Sequence, residues 1–213
     1  MSSKDDDTEY ITIPRKRPYK NVFQFKITLL YTEPPIWRRI IVPESYTFYD
    51  FHVAIQDAMG WWDYHLHDFR IEDETEERGF LRIECPWMEP EPGDEDRLIT
   101  TEVPLKTFLM EIGDIVRYHY DYGDGWQLDV LLEDILPKEK DRKYPICVDG
   151  DLSGPPEDCG GVHGYHRCID ALADMDDSEG LLTWLGDWRP DDFDPGRVKF
   201  ESPRKRFNRA TED

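Results

Sequence analysis

The stretch Val116-Arg117-Tyr118-His119-Tyr120-Asp121-Tyr122-Gly123-Asp124-Gly125-Trp126-Gln127-Leu128-Asp129-Val130-Leu131-Leu132 decides the fold class. Val116, Tyr118, Tyr120 and Tyr122 recur at every second position, and so do Trp126, Leu128, Val130 and Leu132. A period of two places each set on one face of a strand. Gly123-Asp124-Gly125 supplies the turn between them, so the stretch reads as an antiparallel hairpin.

Working outward, Val22 to Leu29 alternates in the same way, and Glu33-Pro34-Pro35 makes a turn into a second strand, Ile36 to Val42. Thr47 is placed to cap a helix, with Asp50 near its positive end. Phe51, Ala54, Ile55, Ala58 and Met59 follow at helical spacing, and Gly60 stops it. A strand is expected from His65 to Ile71, a short one at Phe80–Ile83, and a short helix from Leu105 to Met110. Pro86, Pro90 and Pro92 with Gly93-Asp94-Glu95-Asp96 read as an insertion or mobile loop. Beyond the hairpin, Tyr165–Met175 and Glu179–Leu185 read as helices. Hairpins with segregated helices predict a single α+β domain, an antiparallel sheet packed by several helices. The expected division is a flexible N-terminal arm over 1–21, the domain over 22–200 and a C-terminal tail over 201–213.

The chain has 213 residues and a formal charge of −21. Such a field repels phosphate backbones, so nucleic acid is an unlikely partner. The basic clusters Arg15-Lys16-Arg17 and Arg204-Lys205-Arg206 lie near the ends and read as solvated tails or as docking sites for an acidic partner. No apolar run approaches the roughly 20 residues of a membrane span, and the first residues lack a signal peptide's apolar stretch. A cytoplasmic protein without a membrane partner is expected. Cys85, Cys147, Cys159 and Cys168 form no C-x-x-C pair, so no disulfide framework is expected in a reducing compartment.

Three segments carry candidate chemistry. In His65-Leu66-His67-Asp68-Phe69, strand alternation points His65 and His67 to the core-facing side. Two imidazoles there suit either metal chelation or hydrogen bonding at a core edge. In the hairpin, Asp121 and Asp124 suit either a cation or the turn itself. Gly154-Pro155-Pro156-Glu157-Asp158-Cys159-Gly160-Gly161-Val162-His163 sets two acids, a thiol and an imidazole in a loop before a helix. The candidate pocket is therefore His65, His67, Asp121, Asp124, Trp126, Glu157, Asp158, Cys159 and His163. The candidate metal ligands are His65, His67, Asp121, Asp124, Asp158, Cys159 and His163. Imidazole and thiolate among them put Zn²⁺ first among divalent ions.

Together with Pro34-Pro35-Ile36-Trp37-Arg38-Arg39 and Ala58-Met59-Gly60-Trp61, these segments resemble the plasmid pRiA4b ORF-3-like family. The family pattern runs PPIWRR, a helix ending in MGW, HLH-x-F, YDFGD-x-W and PPEDCGG-x-x-GY, and is matched from about residue 22 to 200. Tyr122 stands where the family usually has Phe. The resemblance implies an α+β domain and brings no agreed catalytic residues. Members are sometimes labelled mobile-element passengers with a resolvase-like name, but a recombinase needs a basic DNA-binding face that this acidic chain lacks. Two function classes remain. One is a binding or adaptor module holding a peptide, protein or small ligand with Trp37, Trp61, Trp62, Tyr120 and Trp126 as anchors. The other is a metal-dependent hydrolase or related metalloenzyme; a Cys159 nucleophile with His163 is a separate arrangement for which the sequence names no third orienting group. Whether it is an enzyme is open at the level of sequence.

Overall fold

The computed structural model describes residue 12 and residues 17–90, 97–175 and 177–212. Eight strands make one sheet: β1 (Asn21–Leu29), β2 (Trp37–Pro43), β3 (His67–Glu72), β4 (Phe80–Glu84), β5 (Leu98–Ile99), β6 (Ile115–Tyr120), β7 (Trp126–Pro137) and β8 (Ile146–Asp151). Their order across the sheet is β5-β4-β3-β6-β7-β1-β2-β8. Every pairing is antiparallel except the short β4–β5 contact. With helices α1 (Phe48–Met59), α2 (Gly161–Asp174), α3 (Leu181–Leu185) and α4 (Pro203–Glu212), this is an α+β fold.

Alternation sorts the sheet into two faces. Phe25, Ile27, Ile40, Phe69, Tyr118, Leu128 and Val130 point one way and are fully enclosed. Against them packs α1, whose Phe48, Phe51 and Ile55 are equally buried. The opposite face is polar and laced with cross-strand ion pairs, such as Arg39–Glu133 at 2.6 Å and Arg117–Asp129 at 2.6 Å. Partly exposed pairs of this kind contribute little individually.

The caps of α1 fix where the sites begin. Thr47 Oγ1 accepts Asp50 N–H at 3.2 Å, and Asp50 Oδ2 accepts Thr47 N–H at 3.1 Å, a reciprocal capping box. Gly60, at φ 81°, closes the helix in a left-handed turn that L side chains adopt poorly. The buried Arg38 donates to Ala58 O at 2.8 Å and to Asp151 O at 3.0 Å, tying the helix end to β8. Burial lowers its pKa to about 10, which still leaves it charged at neutral pH.

Several expectations are corrected. Tyr122 does not continue the row of Val116, Tyr118 and Tyr120. Asp121 takes φ 53°, the alternation breaks, and Tyr122 OH donates to Asp68 Oδ2 at 2.5 Å. The helix foreseen at Leu105–Met110 is one 3₁₀ turn, Leu105–Thr107. The segment 201–213, foreseen as a tail, carries α4, with Arg206 and Phe207 buried. Phe207 packs with Tyr49, Val53 and Trp87 as a second, smaller cluster on the outer side of α1. Residues 91–96 of the foreseen insertion and most of the N-terminal arm lie outside the described residues. All four cysteines are free. No helix among the described residues is long and apolar enough to cross a membrane.

Candidate functional site

The turn after β6 and the loop before α2 meet backbone to backbone. Gly160 N–H donates to Asp124 Oδ2 at 3.1 Å. A Cβ on Gly161 would lie 2.3 Å from Asp124 O, and one on Gly154 would lie 2.0 Å from Met59 O. Glycine at both positions lets the loop seat against the hairpin turn and the end of α1 together. Trp61 Nε1–H donates to Pro155 O at 3.1 Å, and Trp188 Nε1–H donates to Gly154 O at 3.0 Å, which fixes the proline pair between two indoles.

This seating brings His65, Asp121 and Asp158 together. His65 Nε2 lies 2.8 Å from Asp158 Oδ1 and 3.6 Å from Asp121 Oδ2. Asp121 also serves its turn, accepting Gly123 N–H on Oδ1 at 2.8 Å. Beside them Glu157 accepts the Tyr120 hydroxyl on one oxygen and Trp62 N–H, at 3.0 Å, on the other. Burial raises the Glu157 pKa, opposed by both hydrogen bonds.

His67 goes elsewhere. It opens β3 and points into the core, whereas His65 precedes the strand in an irregular bend, so strand alternation does not relate the two rings. The His67 and His52 rings stack face to face, 3.5 Å between centroids and 9° between planes. Tyr118 OH accepts Gln56 Nε2–H at 3.0 Å, so its own proton is directed to His52 Nδ1 at 2.7 Å. His52 Nε2–H then donates to Asp63 Oδ1 at 2.7 Å. Among the described residues, His67 Nε2 and Tyr49 OH have no hydrogen-bond partner. Burial, then the neighbouring His52, lowers the His67 pKa well below the usual histidine value.

Both triads, His65–Asp121–Asp158 and His52–Asp63–His67, bring their ligand atoms within 4.8 Å of one another. They differ in ring geometry. A ligating imidazole holds zinc close to its own plane at about 2.0–2.1 Å. Two parallel rings 3.5 Å apart share no such position, so as it stands His52 serves a hydrogen-bond relay between Tyr118 and Asp63, on which the His67 ring is stacked.

The remaining sequence candidates separate. Trp126 is a core residue, 5.9 Å from Trp61. The Cys159 thiol is pushed up to about 12 by burial and bonds Gly161 O, so it is protonated at neutral pH rather than poised as a nucleophile. His163 is exposed on the first turn of α2 and belongs to neither triad.

Adjoining Glu157 and Asp158 is a cleft of about 650 Å³ between the end of α1, the proline loop and residues 184–199. Trp62 and Trp184 stand at it 63% and 50% exposed, while Trp188 and Phe193 line it. Phe193 lies 3.6 Å over the Arg38 guanidinium. Little in the sequence marked Trp184, Trp188 and Phe193: Trp184 sits on the short α3, and the other two follow that helix in a polar stretch. His52 did leave one: a polar residue on a helix otherwise spaced for burial.

Residues 21–199 match the family model described as plasmid pRiA4b ORF-3-like protein. The chain belongs to the plasmid pRiA4b ORF-3-like family. The chain is 31% identical over 196 residues to "Uncharacterized protein y4hQ" of Sinorhizobium fredii (strain NBRC 101917 / NGR234), covering 91% of this chain and 92% of that one. A crystal structure titled as a protein of unknown function, MM3350 from Methanosarcina mazei Go1, superposes with a TM-score of 0.75 at 38% identity. That alignment covers 86% of this chain and all of the other. The family span contains both triads and every residue that lines the cleft, but it ends before α4 and its Arg206.

Proposed function

We propose that the protein is a binding module whose cleft takes an apolar or aromatic group of a peptide or small molecule. The observation that carries this reading is the pair of half-exposed indoles, Trp62 and Trp184, at one cleft of about 650 Å³. That volume suits a small-molecule site, where apolar walls supply affinity and a few polar groups set orientation. Large indoles left in water are costly unless something covers them. The polar groups on hand are Glu157 and Asp158, both on a loop held by two indole hydrogen bonds. A preformed wall of this kind binds without spending much free energy on ordering itself.

The test is a fragment screen read through the seven tryptophan indole N–H resonances. Aromatic and aliphatic fragments are expected to shift the Trp62 and Trp184 signals, and Trp184→Ala is expected to weaken binding about tenfold or more, as an anchor residue does. Fragments that bind only elsewhere, or bind Trp184→Ala unchanged, would sink the reading.

A further inference from the structure

We propose that His65, Asp121 and Asp158 form a divalent-metal site at the mouth of the cleft, with Zn²⁺ the preferred ion. This goes beyond the reading of the cleft and does not depend on what the cleft holds.

The argument begins with hydrogen-bond capacity. An imidazole Nε2 carries either one N–H or one lone pair. Two carboxylates compete for it here. Asp158, whose side chain is largely exposed, takes it at 2.8 Å. Asp121, only 7% exposed, is left at 3.6 Å, inside ion-pair range and outside hydrogen-bond range. The order is the reverse of what desolvation favours, because the buried carboxylate has more to gain from a partner. Asp121 Oδ1 is occupied by Gly123 N–H, so Oδ2 is the oxygen that faces the imidazole, at 3.6 Å.

The surroundings sharpen the point. Asp121, Asp124, Glu157 and Asp158 gather within two adjoining loops, and among the described residues none of them pairs with a lysine or arginine. Elsewhere, among the described residues, carboxylates about as buried as Asp121 have such partners: Asp68 with Arg70 and Arg82, and Asp57 with Arg206. A plain His65–Asp158 surface pair contributes little and leaves Asp121 Oδ2 without that imidazole's proton.

A cation between the three resolves this. Nε2 gives up its proton and offers its lone pair, and each carboxylate offers one oxygen. Neighbouring ligand atoms around a tetrahedral zinc stand roughly 3.3 Å apart at bond lengths of about 2.0–2.1 Å. The present atoms lie within 4.8 Å of one another, so modest side-chain rotations complete the set. One imidazole with two carboxylates suits zinc, with manganese next, better than magnesium or calcium. The exposed side leaves a coordination position open toward water and the cleft.

The experiment is calorimetric titration of chelator-stripped full-length protein with Zn²⁺, then Mn²⁺ and Mg²⁺. One saturable Zn²⁺ site is expected, with weaker Mn²⁺ binding. His65→Ala and Asp121→Asn should each weaken Zn²⁺ about tenfold or more, while His163→Ala and Trp184→Ala should leave it unchanged. His65 is partly exposed, so its variant stays folded even where Asp121→Asn disturbs the turn. Absence of saturable binding would overturn the proposal. So would binding that survives His65→Ala, or binding lost with His67→Ala instead, which would move the ion to the buried relay. Because Trp184→Ala tests the cleft alone, failure of one reading is distinguishable from failure of the other.

Discussion

His67 is the residue whose surroundings translate most directly into a solution property. Its ring is 1% exposed, it stacks on His52, and its pKa is held well below 6.5. In the unfolded chain the same group titrates near 6.5. Between the two values the unfolded state binds a proton that the folded state refuses. Stability is therefore intact above about pH 6.5 and is lost as pH falls, by up to about 1.4 kcal/mol per pH unit for one proton. Urea unfolding from pH 7.5 to 5 should show a shallower slope for His67→Asn than for the natural chain; equal slopes would remove His67 as the cause. His119, lowered to about 4 mainly by burial, adds a similar trend to both chains and cancels in the comparison. At this scale the sequence was half legible. His65, Asp121, Asp158 and Glu157 could be nominated from residue type. Their separation from His67 could not, because it depends on β3 starting at His67 and on Asp63 turning the chain at φ 63° just before.

Among the elements, α4 shows how a polar segment becomes structural. Its sequence, Pro203-Arg204-Lys205-Arg206-Phe207-Asn208-Arg209-Ala210-Thr211-Glu212, offers one large apolar residue, so no hydrophobic stripe announced it. Phe207 docks beside Tyr49 with rings 5.5 Å apart, and Arg206 pairs with Asp57 at 2.5 Å and Glu201 at 2.9 Å. Removing one member of a buried ion pair strands the other. Arg206→Ala should cost about 3 kcal/mol of unfolding free energy. Asp57→Asn in the same chain should return part of it, since the stranded charge is then gone. Additive losses in chemical denaturation would argue that the pair is not coupled. β8 escaped the sequence for a different reason: Ile146-Cys147-Val148-Asp149-Gly150-Asp151 has no clean alternation and contains a glycine. The hairpins β1–β2 and β6–β7 were legible because each buries one face, and burial on one face is what periodicity records; α1, buried on nearly every side, was legible from its capping residues and apolar spacing.

For the molecule as a whole, the α+β class followed from those few periodic stretches, while the cleft did not, since it is assembled from the helix end, the proline loop and residues 184–199. Charge is the other whole-molecule property. The formal charge is −21 over 213 residues, and among the described residues the open sheet face pairs arginines with carboxylates across strands, which disfavours a polyanion. Anisotropy titration against duplex DNA near 0.15 M salt should give no binding below micromolar concentrations; a tighter, sequence-selective complex would contradict this. A last consequence comes from the aromatic column under the proline loop, where Trp61 stacks on Tyr120 at 5.0 Å and lies 5.9 Å from Trp126. Indoles held that close and in a fixed orientation couple their electronic transitions, and rigid aromatic packing is what near-ultraviolet circular dichroism detects. The half-exposed Trp62 and Trp184 emit from a wetter environment. The protein thus carries two native optical channels without any label: ellipticity for whether the loop is seated, and emission colour for whether the cleft is filled.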